Sequence, residues 1–289
     1  MRVPNSVAIA CATGGFKGAF LHGVLHAFES AGYRAAAYAA ASSSVLPAAA
    51  AAVGRIDDLG LDHWVKGRKV VAQPGIGMSE MILNGLDHAL PGLMPHLFGR
   101  EAPRFLIAAS AVDPEVAQVT QGKGARRRGR KLLLEAARGD RNWVDSHLMP
   151  YLFDTAAEDE AFRLTAENFA QVAYASSRML HAWDIPAWVD DRPFVDAFYT
   201  CACPAEGLAE IGYELVIALA TEPVLYRDIF QSEIIPDRWN GSVIEIIRPD
   251  FDPGDIGVSY TTADDEGLET VYAHGIKKGN IFLQQVGWK

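Results

Sequence analysis

Cysteine is scarce in this chain, with three among 289 residues: Cys11, Cys201 and Cys203. So sparse and odd a set builds no disulfide framework and points to a reducing compartment. Cys201-Ala202-Cys203 lacks the spacing of a zinc knuckle, so no metal site is expected. Positive charge is short too. Lys and Arg total 26 against 36 Asp and Glu, a net charge of −10, which argues against nucleic acid as a general partner. No apolar run reaches the roughly 18 residues of a membrane span. The alanine-rich stretch 35–53 is broken by Tyr38, three serines and Pro47. Met1-Arg2-Val3-Pro4 leads through Asn5-Ser6 into VAIACAT without the apolar core of a signal peptide. A cytoplasmic protein is the expectation.

Hydrophobic residues make up 49% of the chain, enough for a sizeable core. Val7 to Ala12 is a short continuous apolar run, as suits a strand covered on both faces. It ends in Thr13-Gly14-Gly15. Phe20, Leu21, Val24, Leu25 and Phe28 then recur at the spacing of one buried helical face, and Gly32 is a good stop. A second strand is expected over 35–41, a turn at the serines, and a helix through the alanines 48–52. Strand, Gly loop, helix, strand, turn, helix is the start of a doubly wound α/β sheet. Further strands are read at 105–112, 214–221 and 242–249, a strand pair around Asp190-Asp191, a helix at 165–180 and a closing helix from Asp264 to Gln285. Residues 78–99 read as two core-packing helices broken by Gly and Pro. Residues 121–131 (QGKGARRRGRK) read as a basic loop. No linker or repeat divides the chain, so one domain over 1–289 is expected.

Two features carry chemistry. Gly14-Gly15 lies between a strand and a helix N-terminus, where backbone N–H groups are presented to negative charge. TGGFKG fits neither the dinucleotide fingerprint nor the phosphate loop. An oxyanion site is the remaining use, and it needs a nucleophile. Residues 40–45 read Ala-Ala-Ser-Ser-Ser-Val. A nucleophile elbow turns sharply from strand to helix and needs small residues two before and two after the serine. Ser42 has Ala40 and Ser44 there. Ser43 has Ala41 and the β-branched Val45, and Ser44 has Ser42 and Leu46. Sterics favour Ser42.

With these motifs in place, the sequence resembles the patatin-like phospholipases. That family carries G-G-G-x-R/K-G after its first strand, G-x-S-x-G after its second, and D-G-G/A later. Here the first appears as Thr13-Gly14-Gly15-Phe16-Lys17-Gly18. The second and its usual sequel match Ala40 to Ala48 without a gap only with Ser42 as the nucleophile. The third falls at Asp196-Ala197-Phe198. Ala175-Ser176-Ser177 and the closing helix also resemble family segments. The resemblance extends the doubly wound sheet to a three-layer α/β/α fold with a mainly parallel central sheet. The resemblance implies a Ser–Asp dyad, with Asp196 taking the Ser42 proton directly. It implies an oxyanion hole from the N–H groups of Gly14 and Gly15, with Ser43 adding a third. Lys17 would brace the loop, with Gly18 completing the motif. No cofactor is implied. The substrate would be a lipid or other acyl ester. Acyl transfer or thioester cleavage by the same dyad, and a binding protein that has lost the chemistry, are the alternatives. Both elbow glycines are replaced here, by Ala40 and Ser44. Thr13 stands for the first loop glycine, and Phe198 is large where the family is small.

Other polar residues are assigned milder roles. His22, His26 and Glu29 read as the polar face of the first helix. His181 and His274 are the bases a Ser–His–Asp triad would need. Asp190 and Asp191 read as a turn. The basic segment 121–131 would suit a membrane surface or a substrate with an anionic head.

Overall fold

The structure is a computed structural model that describes residues 7–287; the leader reading at Met1–Pro4 lies outside them. Among the described residues, nine strands form one sheet: β1 Val7–Cys11, β2 Ala37–Ala41, β3 Arg104–Val112, β4 Leu148–Asp154, β5 Trp188–Val189, β6 Arg192–Val195, β7 Leu215–Leu219, β8 Arg238–Trp239 and β9 Ser242–Ile247. The five central strands, in the order β3-β2-β1-β7-β9, run parallel. Antiparallel β4 and β6 pair with β3, β5 with β6, and β8 with β9. The helices are α1 Ala19–Ser30, α2 Val45–Val53, α3 Asp62–Val71, α4 Met78–Leu97, α5 Ala117–Gln121, α6 Ala125–Ala136, α7 Asn142–His147, α8 Phe169–Ser176, α9 Ala205–Ile211 and α10 Asp265–Gln285.

Alternation along the strands sorts these helices into two outer layers. Ile9, Cys11, Tyr38, Phe105 and Ile107 face a large core shared with α1, α2, α4, α8 and α10. Ala8, Ala10, Ala37, Ala39 and Leu106 face the other way, toward Leu208 and Ala209 of α9. The chain is thus a three-layer α/β/α structure with a mainly parallel centre, as its sequence implies. α1 and α10 cross so closely that a Cβ on Gly275 would lie 2.0 Å from the Phe20 carbonyl oxygen. The Asp190-Asp191 turn joins β5 to β6 with both residues at positive φ, 47° and 62°, the geometry of a tight hairpin.

Three expectations are corrected, and one strand has no expectation behind it. Residues 78–97 form one helix, not two, with Pro91 and Pro95 inside it. The basic segment is mostly helix from Ala125, and Arg128 turns inward to pair with Glu135 and stack on Trp143, 4.1 Å from its centroid. His22 is no polar-face residue. It is fully buried, and its Nδ1 accepts the Trp64 indole N–H at 2.9 Å, with burial holding its pKa well below the ordinary value. His26 bonds Tyr272, and Glu29 accepts the Ile56 N–H. β4 has no counterpart in the sequence reading. It is an edge strand whose Pro150 and exposed Met149 disrupt the apolar alternation.

Candidate active site

The register of β3 decides what meets at the site. β4 occupies one edge of β3 from Leu106 to Val112. β2 lies along the other edge, ending where Ala41 pairs with Ala108. Beyond that point β6 arrives antiparallel on the vacated edge, with Val195 opposite Ser110. The residues after Ala41 and Val195 are Ser42 and Asp196. Two strand ends running toward each other along one edge therefore bring them face to face. The Ser42 Oγ donates to Asp196 Oδ2 at 3.0 Å.

Ser42 has φ of 57°. A serine in the left-handed region is costly by about 1–3 kcal/mol and persists only where its surroundings hold it. Three bonds do so. Its N–H donates to Ser176 Oγ at 2.7 Å, and that hydroxyl donates onward to the Ala108 carbonyl at 2.6 Å. Two residues on, the Ser44 hydroxyl accepts the Ala41 N–H at 3.1 Å and lies 2.8 and 3.0 Å from the Ala41 and Cys11 carbonyl oxygens. Ser44 thus ties the elbow to the end of β1 where a glycine would only have made room.

Asp196 is 1% exposed. Burial pushes its pKa up from 3.8 to about 7, against the hydrogen bonds from the Phe198 N–H and Ser42. Those bonds run to separate oxygens, Oδ1 from Phe198 at 2.8 Å and Oδ2 from Ser42. Its backbone is held as well: its N–H donates to the Arg178 carbonyl, and Ser110 Oγ donates to its carbonyl at 2.8 Å. Ala197 sits in a 3-10 turn and is not at positive φ, so the site asks for no glycine there.

Gly14 and Gly15 run from β1 into a single 3-10 turn, Gly15–Gly18. The first N–H groups of such a turn have no partner within it. Gly15 must be glycine. Its φ is 54°, and a Cβ there would lie 1.9 Å from the Tyr260 carbonyl oxygen. Thr13 is pinned on both sides, its N–H to Ala202 and its carbonyl to Thr221 Oγ1. Lys17, 5% exposed, bonds Glu222 at 2.5 Å and Asp252 at 2.8 Å. Burial opposes its charge, but these two carboxylates outweigh burial and hold its pKa above the ordinary value. Lys17 therefore braces the loop from beneath. At Gly18 a Cβ would lie 2.7 Å from Trp64 and 3.1 Å from Ser43 Oγ, so the glycine lets the two loops pack together.

A cavity of about 630 Å³ collects these parts: Ser42, Ser43, Asp196, Gly14 and Gly15 all line it. Its remaining wall is largely apolar, from Phe16, Leu46, Trp64, Met81, Ile82 and Leu86 among others. Lys17 lies behind the loop. His181 lines the cavity, but the Ser42 hydroxyl bonds the carboxylate with no imidazole between. His274 packs between Phe20 and Phe251 and pairs with Asp250. Arg126, Arg127 and Arg128 are outside the cavity wall. Sequence reasoning did not assign roles to Ser176, Ser110 and Tyr260. Ser176 lay in a noted Ala-Ser-Ser run. Ser110 is a lone serine in an apolar strand and gave no signal.

No family model matches this chain, and no curated protein matches it. Among solved structures the chain is similar to VipD from Legionella pneumophila, at 11% sequence identity and a TM-score of 0.44. The match covers 96% of this chain and 66% of that one, just under two thirds of its length. Among the described residues, no helix is long and apolar enough to cross a membrane, and no group of His, Cys, Asp and Glu is arranged to hold a metal.

Proposed function

We propose that the chain is a serine acyl hydrolase of the patatin-like kind, cleaving fatty acyl esters through an acyl-enzyme on Ser42. The observation that carries this reading is the Ser42 Oγ–Asp196 Oδ2 hydrogen bond of 3.0 Å at a left-handed elbow. Asp196 takes the hydroxyl proton as Ser42 Oγ attacks the acyl carbonyl. The tetrahedral oxyanion forms against the N–H groups of Gly14, Gly15 and Ser43, where each donor is worth about 10²–10³ in rate. As the ester C–O bond breaks, protonated Asp196 returns its proton to the departing alkoxide, which leaves as the alcohol. Water then attacks the acyl-enzyme with Asp196 again as base, releasing the acid and restoring Ser42. A carboxylate with a pKa of about 7 is matched to both directions of proton transfer near neutrality.

The apolar cavity supports an acyl chain as the bound part of the substrate. The whole chain, 1–289, serves as the acyl hydrolase domain, with no cofactor. Arg126, Arg127 and Arg130 project outward from α6 and are set to contact an anionic lipid surface rather than a head group within the cavity. The test is hydrolysis of p-nitrophenyl octanoate. Wild type turns it over, and Ser42→Ala and Asp196→Asn each lose on the order of 10³-fold or more in kcat. Retained turnover in Ser42→Ala would refute the reading and leave a binding protein or a different nucleophile.

A further inference from the structure

Beside the acyl cavity lies a second chamber of about 260 Å³. Thr13, Phe198, Ile229 and Tyr260 line both, so the two spaces adjoin along these residues. Phe198 and Tyr260 contact each other there, ring centroids 5.4 Å apart. Phe198 is two residues from Asp196, and Thr13 directly precedes the oxyanion glycines. The chamber therefore adjoins the reacting centre. Its chemistry is unlike the apolar cavity's, with Glu222, Tyr226, Asp228 and Gln231 among its lining residues.

The partners of these groups define what the chamber would accept. Asp228 is committed: it pairs with Arg141 and also takes the Phe230 N–H and the Ser232 hydroxyl. Glu222 is half committed, because Lys17 and the Tyr260 hydroxyl both bond Oε1. Both protein bonds to Glu222 fall on Oε1, which leaves Oε2 to the chamber, and Gln231 stands exposed at its rim. Gln231 also sits at a φ of 54°. The cations that balance the two carboxylates, Lys17 and Arg141, are not part of the chamber wall. What faces a ligand is thus a carboxylate oxygen, an amide and a phenol. That set both donates to and accepts from hydroxyl groups, and its carboxylate disfavours an anionic group.

We infer that the second chamber is the leaving-group subsite, taking the uncharged, hydroxyl-bearing alcohol of a polyol ester alongside Phe198 and Tyr260. The acyl chain lies in the larger cavity, the carbonyl at Ser42, and the polyol in the chamber. This rests on the acyl-hydrolase reading and adds its specificity: monoacyl polyol esters are favoured over simple alkyl esters and over esters whose alcohol carries a phosphate.

The experiment uses three octanoyl esters with one acyl chain: methyl octanoate, 1-octanoylglycerol and 1-octanoylglycerol 3-phosphate. The wild type is expected to show a kcat/KM for 1-octanoylglycerol at least about tenfold above each of the others. Val224 lines the chamber and is 37% exposed, so bulk there fills space without entering the core. Val224→Trp is expected to lower kcat/KM for 1-octanoylglycerol about tenfold while methyl octanoate stays within about twofold. The rate of fluorophosphonate labelling, whose leaving group is only fluoride, reports separately on an intact dyad. Val224→Phe is the milder variant if the tryptophan impairs folding. Equal losses on both esters with normal labelling, no loss on either, or preference for the phosphate ester would overturn the subsite and leave the dyad standing. A wild type that takes no label would overturn the dyad and the subsite with it.

Discussion

At the scale of single residues, the site rests on a buried acid and a strained serine. Asp196 has its pKa raised from 3.8 to about 7, so between these values the folded protein holds a proton there that the unfolded chain has released. The stability this contributes is complete below pH 3.8 and is lost as pH rises to about 7. Asp196→Asn removes the ionisation and keeps an acceptor for the Phe198 N–H. Its Tm is expected to match wild type at pH 4 and exceed it by several degrees at pH 8, although activity is gone. A thermal-unfolding series showing the variant less stable at pH 8 contradicts the assignment. Activity follows the opposite course. Wild-type kcat/KM is expected to rise about tenfold per pH unit below 7 and level off above it. Ser176 accepts the Ser42 N–H and donates to the Ala108 carbonyl, which under the proposed mechanism makes it a positioning residue. Ser176→Ala leaves the elbow N–H and that carbonyl unpaired, at about 1–3 kcal/mol. kcat should fall about 10–100-fold with KM nearly unchanged, and Ser176→Thr should recover part of the loss. A change in KM alone would count against this role.

At the scale of elements, periodicity and turn chemistry carried far. The strands at 7–12, 35–41, 105–112, 214–221 and 242–249 all exist within a few residues of the expected ends, because a sheet covered on both faces leaves continuous apolar runs. The Asp190-Asp191 turn was legible for a similar local reason. Failures fell where tertiary contacts overrode local pattern. α4 keeps its helix through two prolines because the helix packs Leu86, Leu93 and Leu97 into the core. α6 forms from an Arg- and Gly-containing stretch because Arg128 finds Glu135 and Trp143. His22 looked polar, yet it is sealed beneath Trp64 and Tyr272. The site itself was half legible. Small neighbours single out Ser42, but only the edge of β3 explains why Asp196 meets it, 154 residues away. The crossing of α1 and α10 provides an element-level test. Gly275→Ala puts a Cβ 2.0 Å from the Phe20 carbonyl oxygen. It should cost about 1–3 kcal/mol, read as a lower urea midpoint with an unchanged slope. No shift in that midpoint would mean the helices do not cross as described.

At the scale of the whole molecule, charge is distributed unevenly. The chain carries −10 overall, yet Arg126, Arg127 and Arg130 share the outer side of one short helix. An acidic protein with one basic face would present that face to an anionic bilayer. Replacing the three arginines by serine is expected to weaken binding to phosphatidylserine-containing vesicles about tenfold or more at 0.1 M salt, while leaving binding to neutral vesicles and labelling of Ser42 unchanged. Equal binding to both kinds of vesicle in the wild type would remove the role of this face.

The central claim is that Ser42, among three consecutive serines, is the nucleophile. Its most direct test is fluorophosphonate labelling of wild type, Ser42→Ala and Ser43→Ala in parallel, with the modified residue located by peptide mass spectrometry. The account predicts one label on Ser42 in wild type and in Ser43→Ala, and none in Ser42→Ala. Label persisting in Ser42→Ala while vanishing in Ser43→Ala would contradict it.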